Sequence, residues 1–332
     1  MTVVKTSPHA ARVAPKPKHA LLVIAMVAML LDSCAVLRSA QRAEGVFLSE
    51  EDPSLAADTF PLLIKASEIL LEGSPQDQGK LVSTASLYVM YGSAFIQGEA
   101  EFLPDSRYGE KQEANARAGA FYTRALKRLE PALERRAPGL IAALAKGAKG
   151  AASPSTGSMA TADPKILLAR LKAPDVPLLY WTAAALLAKY SLNPLDMDGS
   201  RALLIAPILL NRAEQLSPGW NKGSVQELFV SFYAAMPEYM GGGMTLAEAA
   251  WNKAFSYSKG SSASLYVSRA VSFAVPADDY SAFKKNLELA LAIDVDTNPE
   301  SRLSTEIAKR RARRLLASAD SYFLIPEEGN TP

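Results

Sequence analysis

Three side chains in this sequence carry an imidazole or a thiol: His9, His19 and Cys34, its only histidines and only cysteine. All three lie near the amino terminus. Residues 1–19 hold Lys5, Arg12, Lys16 and Lys18 and no acid, and an apolar run from Ala20 to Leu31 follows. A basic leader, a short apolar core and small residues at its end describe a secretory signal. Spanning a bilayer takes about 20 apolar residues, so this run is too short, and Asp32 cuts it off.

Leu31, Asp32, Ser33 and Cys34 resemble a lipobox, with Asp32 in place of the usual small or apolar residue. At such a site the bacterial lipoprotein pathway acylates the thiol and cleaves just before it. Residues 1–33 are then a lipoprotein signal peptide and Cys34 is the lipidation site. Several acyl chains, at about 0.8 kcal/mol per buried methylene, would hold the product on a membrane. The alternative is an ordinary signal cut elsewhere, which leaves a free thiol.

Cleavage before Cys34 leaves a mature chain without imidazole or free thiol. Ser-His-Asp and Cys-His catalysis are excluded, and so are the ligands that zinc and copper sites favour. Carboxylate-only and lysine-based chemistry survive this argument. No metal and no cofactor is expected. The formal charge falls from +2 to −1, because four bases and one acid leave with residues 1–33. No basic bias remains to attract nucleic acid.

Residues 34–54 are mixed and aperiodic and are expected to form a tether. From 55 to 325 nearly everything scans as helix. Val225, Leu228, Phe229, Phe232 and Met236 recur at helical spacing, as do Phe283, Leu287, Ala290 and Leu291. Ala308, Ala312, Leu315, Leu316, Ala319 and Phe323 share one face of a last helix, expected to start at an Asn298 cap followed by Pro299. The segment near 147–164, rich in Gly, Ala, Ser and Thr, reads as a flexible insertion. The expected fold is all-α.

A small-large-small triplet recurs along the chain. Ala85, Val89 and Gly92 form the first, and Ala118, Tyr122 and Ala125 the second, 33 residues on. Ala206, Leu210 and Ala213, then Ala247, Trp251 and Ala254, then Phe283, Leu287 and Ala290 continue the series. In a helical hairpin the alanines let two helices approach while the large residue fills the neighbouring groove. This is a pattern of tetratricopeptide repeats, whose period is about 34 residues. The reading is a TPR-like helical-hairpin solenoid with irregular repeats that encloses an apolar cleft or pore; a non-repetitive helical bundle is the alternative.

From Asp175 to Phe323 the order DVPLLYWTAAALLA, LNRAEQLSPGWNKGS, MPEYMGGGMTLAEAAWNKAF and RLSTEIAKRRARRLL is similar to one family. It is the TatT family, the tetratricopeptide-repeat component associated with TRAP transporters, which import small organic solutes on ion gradients. The resemblance implies a periplasmic, lipid-anchored protein working beside a TatP-like solute-binding protein. It further implies a small apolar or amphipathic ligand, no catalysis, and a homo-oligomer, with a trimer as the expected form.

The residues themselves offer a ligand site where aromatics and methionines crowd: Tyr180, Trp181, Phe229, Tyr233, Met236, Tyr239, Met240 and Trp251. Methionine adapts its shape and tyrosine adds a hydroxyl, which suits an amphipathic guest. Ordinary hairpin packing explains them equally well. Gly241, Gly242 and Gly243 are expected to supply positive φ between two helices, not a phosphate loop. Arg310, Arg313 and Arg314, on the polar face of the last helix, are the expected partner-binding residues, against the alternative of a solvated face.

Two other readings stay open: an interaction scaffold with no small ligand, and a glutamate-dependent cell-wall enzyme, for which no separate catalytic domain is visible. The anchor reading is tested directly. Cys34→Ser should abolish palmitate labelling in a bacterial host and release the protein from membranes, whereas unchanged labelling would contradict it.

Overall fold

The computed structural model describes residues 45–147, 163–195, 199 and 201–324. Residues 1–33, Cys34 and most of the segment near 147–164 lie outside them. Helix α1 (Pro53–Glu72) opens on Asp52, whose carboxylate accepts the Ser54 amide at 2.7 Å, with Pro53 in the first turn. Helices α2 (Gln78–Met90), α3 (Tyr108–Arg136), α4 (Leu140–Gly147), α5 (Pro164–Leu168), α6 (Val176–Leu192) and α7 (Arg201–Leu216) follow. Then come α8 (Trp220–Ala235), α9 (Met244–Ser258), α10 (Ala263–Arg269), α11 (Tyr280–Ala292) and α12 (Arg302–Ala317). Among the described residues there is no strand, and successive helices pack as hairpins: the fold is all-α.

The triplets mark the buried seams. Ala85, Ala118, Tyr122, Ala125, Ala206, Leu210, Ala213, Ala247, Phe283, Leu287 and Ala290 are each fully buried. Gly92 shows why a small residue is needed. A Cβ there would stand 2.7 Å from Cε1 of Tyr122, so α3 could not sit as close as it does. Tyr122 in turn donates its hydroxyl to Gln97 at 2.7 Å.

One polar knot ties the amino-terminal half together. Asp175, 1 % exposed, sits just ahead of α6 and accepts Nε and Nη2 of Arg136 at 2.8 and 3.2 Å. It also accepts the Lys172 amide at 2.9 Å and Gln78 at 3.0 Å. The ends of α2, α3 and α6 therefore meet on one carboxylate. Burial pushes its pKa up, but the bonds from Arg136, Lys172 and Gln78 outweigh burial and hold it below 3.8.

Two apolar cores result. The larger runs from α1 through α9 and takes in Leu265 of α10 and Leu303 of α12, and the smaller is made by the rest of α10, α11 and α12 with Phe323 beyond it, including Ala308, Ala312 and Leu315. The smaller layer bends back to the start of the chain. Arg302 pairs with Glu51 at 2.8 Å, and residues of α12 contact α1. The start of α12 differs from expectation: Pro299–Ser301 form a 3-10 turn and the helix begins at Arg302. The Asn298 amide is engaged by the Ser301 hydroxyl and does not cap the backbone. Ahead of α1, Phe47 within the expected tether packs edge-on against Phe60 at 4.7 Å.

Two substitutions test this packing. Asp175→Ala, which strands the facing Arg136 and Gln78 donors, should cost about 3 kcal/mol in urea unfolding. Gly92→Ala should cost about 1 to 3 kcal/mol by forcing Tyr122 aside. Unchanged midpoints in both would show that neither seam carries the fold.

Candidate ligand cavity

The carboxyl end of α2 does not stop at Met90. It runs into a π-helical stretch, Tyr91–Gln97, and a short turn, Gly98–Ala100. The wider π turn is a known device for presenting side chains at functional sites. Here Ala94, Phe95 and Gln97 form one wall of a chamber of about 590 Å³. Val267 of α10 and Ile307 and Ala308 of α12 form the opposite wall. The cavity thus lies between the two cores and falls within the size range of small-molecule sites.

Its rim is ionic. Glu99 accepts Nη2 of Arg310 at 3.2 Å and Nη2 of Arg314 at 2.6 Å. Glu101 takes Arg311 in a two-pronged contact, with Nε at 3.0 Å and Nη2 at 2.9 Å. The Arg314 guanidinium also lies 5.3 Å from the centre of the Phe102 ring. These pairs join positions about two hundred residues apart and close the curved array of helices across the chamber. Arg310 and Arg314 are therefore spent on a contact within the chain. Arg313 is exposed and has no ion-pair partner among the described residues.

A second chamber of about 310 Å³ adjoins the first, and Ser264 and Ser304 belong to the walls of both. Glu227 of α8 and Tyr180 of α6 line it, with the hydroxyls of Ser262 and Ser264 at the start of α10. Ser262 donates to Oε2 of Glu227 at 3.2 Å and lies 3.0 Å from Ser264. Burial raises the Glu227 carboxyl above its ordinary 4.5, although the bonds from Ser264 and Ser262 pull the other way. Burial, and then the nearby Glu227 charge, raise the Tyr180 phenol. A left-handed turn contributes Asn221 (φ 48°) and Lys222 (φ 57°) to its lining, with Gly223 (φ 96°) next in the chain. Left-handed backbone costs roughly 1 to 2 kcal/mol at a residue bearing a Cβ.

The expected aromatic site is dispersed. Of its eight residues only Tyr180 reaches these chambers. Trp181 packs edge-on against Tyr180 at 5.1 Å, and Phe229 stacks on Tyr233 at 5.0 Å. Met236 joins the larger core, and Trp251 stacks on Phe255 with the Arg269 guanidinium 4.2 Å from its ring centre. Tyr239 and Met240 are exposed, on a turn beside the glycines. Gly241 and Gly243 have φ of 82° and 106°, and a Cβ at Gly242 would lie 2.2 Å from the Met236 carbonyl oxygen. Their structural role is met. Glu99, Glu101 and Glu227 carried no visible signal, since single acids in amphipathic helices read as solvent-facing.

The sign of the Glu227 effect follows from linkage. A carboxyl with a raised folded-state pKa adds stability below 4.5, and that stability is lost as pH rises through the folded value. Glu227→Gln, which mimics the neutral acid, should melt above the native protein by a margin that widens as pH rises above 4.5. A margin that does not change with pH would show that burial does not raise the Glu227 carboxyl.

Comparison with known proteins covers most of the chain. An uncharacterized protein of Treponema pallidum (strain Nichols) is 30 % identical over 282 residues, spanning 84 % of this chain and 83 % of that protein. A family model described as "TRAP transporter T-component" matches residues 49–323, from just ahead of α1 to the end of the last layer. The chain belongs to the TRAP transporter T-component family.

Proposed function

We propose that this T-component is a periplasmic protein, lipid-anchored through Cys34, that docks a TRAP-type solute-binding protein and holds a small apolar or amphipathic ligand. Family membership gives the coarser role, transport within a TRAP system. The observation that carries the finer reading is the larger chamber. Its walls of Ala94, Phe95, Val267, Ile307 and Ala308 suit hydrocarbon, and its ionic rim suits a polar end. Reversible burial in such a space needs no covalent chemistry.

Two surfaces support the partner side of this reading. Arg313 offers an exposed cation on α12, within the expected partner-binding set of Arg310, Arg313 and Arg314. On α1, Leu55, Leu62 and Ile69 repeat every seven residues and are 50 %, 73 % and 70 % exposed. An apolar stripe at that spacing buries well against a second copy, in keeping with a homo-oligomer.

Filling the larger chamber tests the ligand role. Ala94→Phe should reduce binding of a fluorescent fatty amphiphile by about tenfold or more while leaving the helical circular dichroism unchanged. Equal binding by the variant and the native protein would move the ligand elsewhere, and no binding by either would favour a ligand-free scaffold.

A further inference from the structure

The smaller chamber holds a carboxylate with no charge partner. Glu227 makes no ion pair among the described residues, and its hydrogen-bond partners are neutral serine hydroxyls. Several other acids in buried or partly buried positions are paired: Asp175 has Arg136, Glu130 has Arg201, Glu248 has Arg269, and Glu99 and Glu101 share the arginines of α12. Glu214 and Glu134 lack an ion pair too, but Glu214 is not among the lining residues of either chamber, and Glu134 accepts two backbone amides. Glu227 faces the smaller chamber with hydroxyls alone, and removing a charge from water without compensation is costly. The backbone beside it is also held in the left-handed region at Asn221 and Lys222, and such conformations gather at ligand sites.

We infer that this chamber binds a small organic cation, with an ammonium group paired to Glu227 and its carbon frame set beside Tyr180. Three observations choose that class. A carboxylate at the wall repels anions, and the chamber's one lining cation, Lys222, is exposed to solvent. A divalent metal needs several oxygen ligands of which more than one is usually charged, and no cluster of three His, Cys, Asp or Glu occurs among the described residues. A neutral polyol would satisfy the hydroxyls and leave the Glu227 charge unmatched. An ammonium group satisfies it, and the hydroxyls of Ser262 and Ser264 remain to accept its other hydrogens. Tyr180, backed by Trp181 at 5.1 Å and Trp220 at 4.9 Å, adds the aromatic surroundings in which cations are favoured.

This deepens the ligand-holding reading and rests on it in one respect only: the two chambers share Ser264 and Ser304 in their linings, so one amphiphile would have its charged end here and its tail beside the larger chamber. A short probe separates the two ideas, since n-butylammonium needs no tail space. In titrations of the mature protein, it should shift the indole signals of Trp181 and Trp220, whereas butyrate and 1-butanol should not. Glu227→Gln should weaken that binding by about tenfold or more, and Ala94→Phe, which fills only the larger chamber, should leave it within about twofold. Equal binding of butylammonium and butanol by the native protein would overturn the inference without reference to any variant. So would full affinity in Glu227→Gln, or no response to butylammonium at concentrations up to about 50 mM. Amphiphile binding that survives any of these failures leaves the larger chamber's role intact.

Discussion

The closure between Glu99 and Glu101 on one side and Arg310, Arg311 and Arg314 on the other is the contact on which the cavity depends. An open solenoid of helical hairpins presents a curved groove. Once its last layer is pinned to the turn after α2, the groove becomes a bounded, partly open space with two walls and a rim. None of these pairs is fully buried, and each alone would add little stability. Their number and shared geometry matter more: Glu99 serves two arginines, Glu101 is gripped by a two-pronged guanidinium, and Arg314 also rests over Phe102. Such a seam holds a shape without welding it, because each pair is partly exposed to water.

Two cores make this arrangement possible. The α10–α12 layer has its own apolar interior, so it can be carried as a unit against the larger body. Asp175 fixes the opposite side, where the ends of α2, α3 and α6 converge on one carboxylate. The π-helical stretch follows α2 directly, so the position of Ala94 and Phe95 inherits the rigidity of that knot. Polar contacts thus fix the frame, and the apolar side chains of Ala94, Phe95, Val267 and Ile307 line the space between them.

Much of the frame was legible in the residues. Alanine paired with a large neighbour at helical spacing reports close helix contact, because the same side chains must be buried whichever partner helix meets them. Ala118, Tyr122 and Ala125 are an instance, and the three glycines after Met240 are another. The cavity was far less legible. Its rim joins Glu99 to Arg310 across some two hundred residues, and nothing local to either residue records the other. The arginines of α12 looked like a docking face, since a charge paired across space has the same sequence signature as one in water. The aromatic crowding around Phe229 and Tyr233 proved to be spread over core, interface and surface, with Tyr180 alone at a chamber wall. Glu227 was silent for the opposite reason: burial arises from the neighbouring layer, which its own helix does not encode.

The claim that the solenoid is closed can be measured as a distance. Spin labels at Asp105, just beyond the glutamates, and at Arg313 on the outer side of α12, would flank the seam in a protein whose Cys34 has been replaced. Double electron–electron resonance should give one narrow distance distribution at physiological ionic strength. A broad or two-peaked distribution would mean that the last layer swings free and that the chamber is not a standing feature of the molecule.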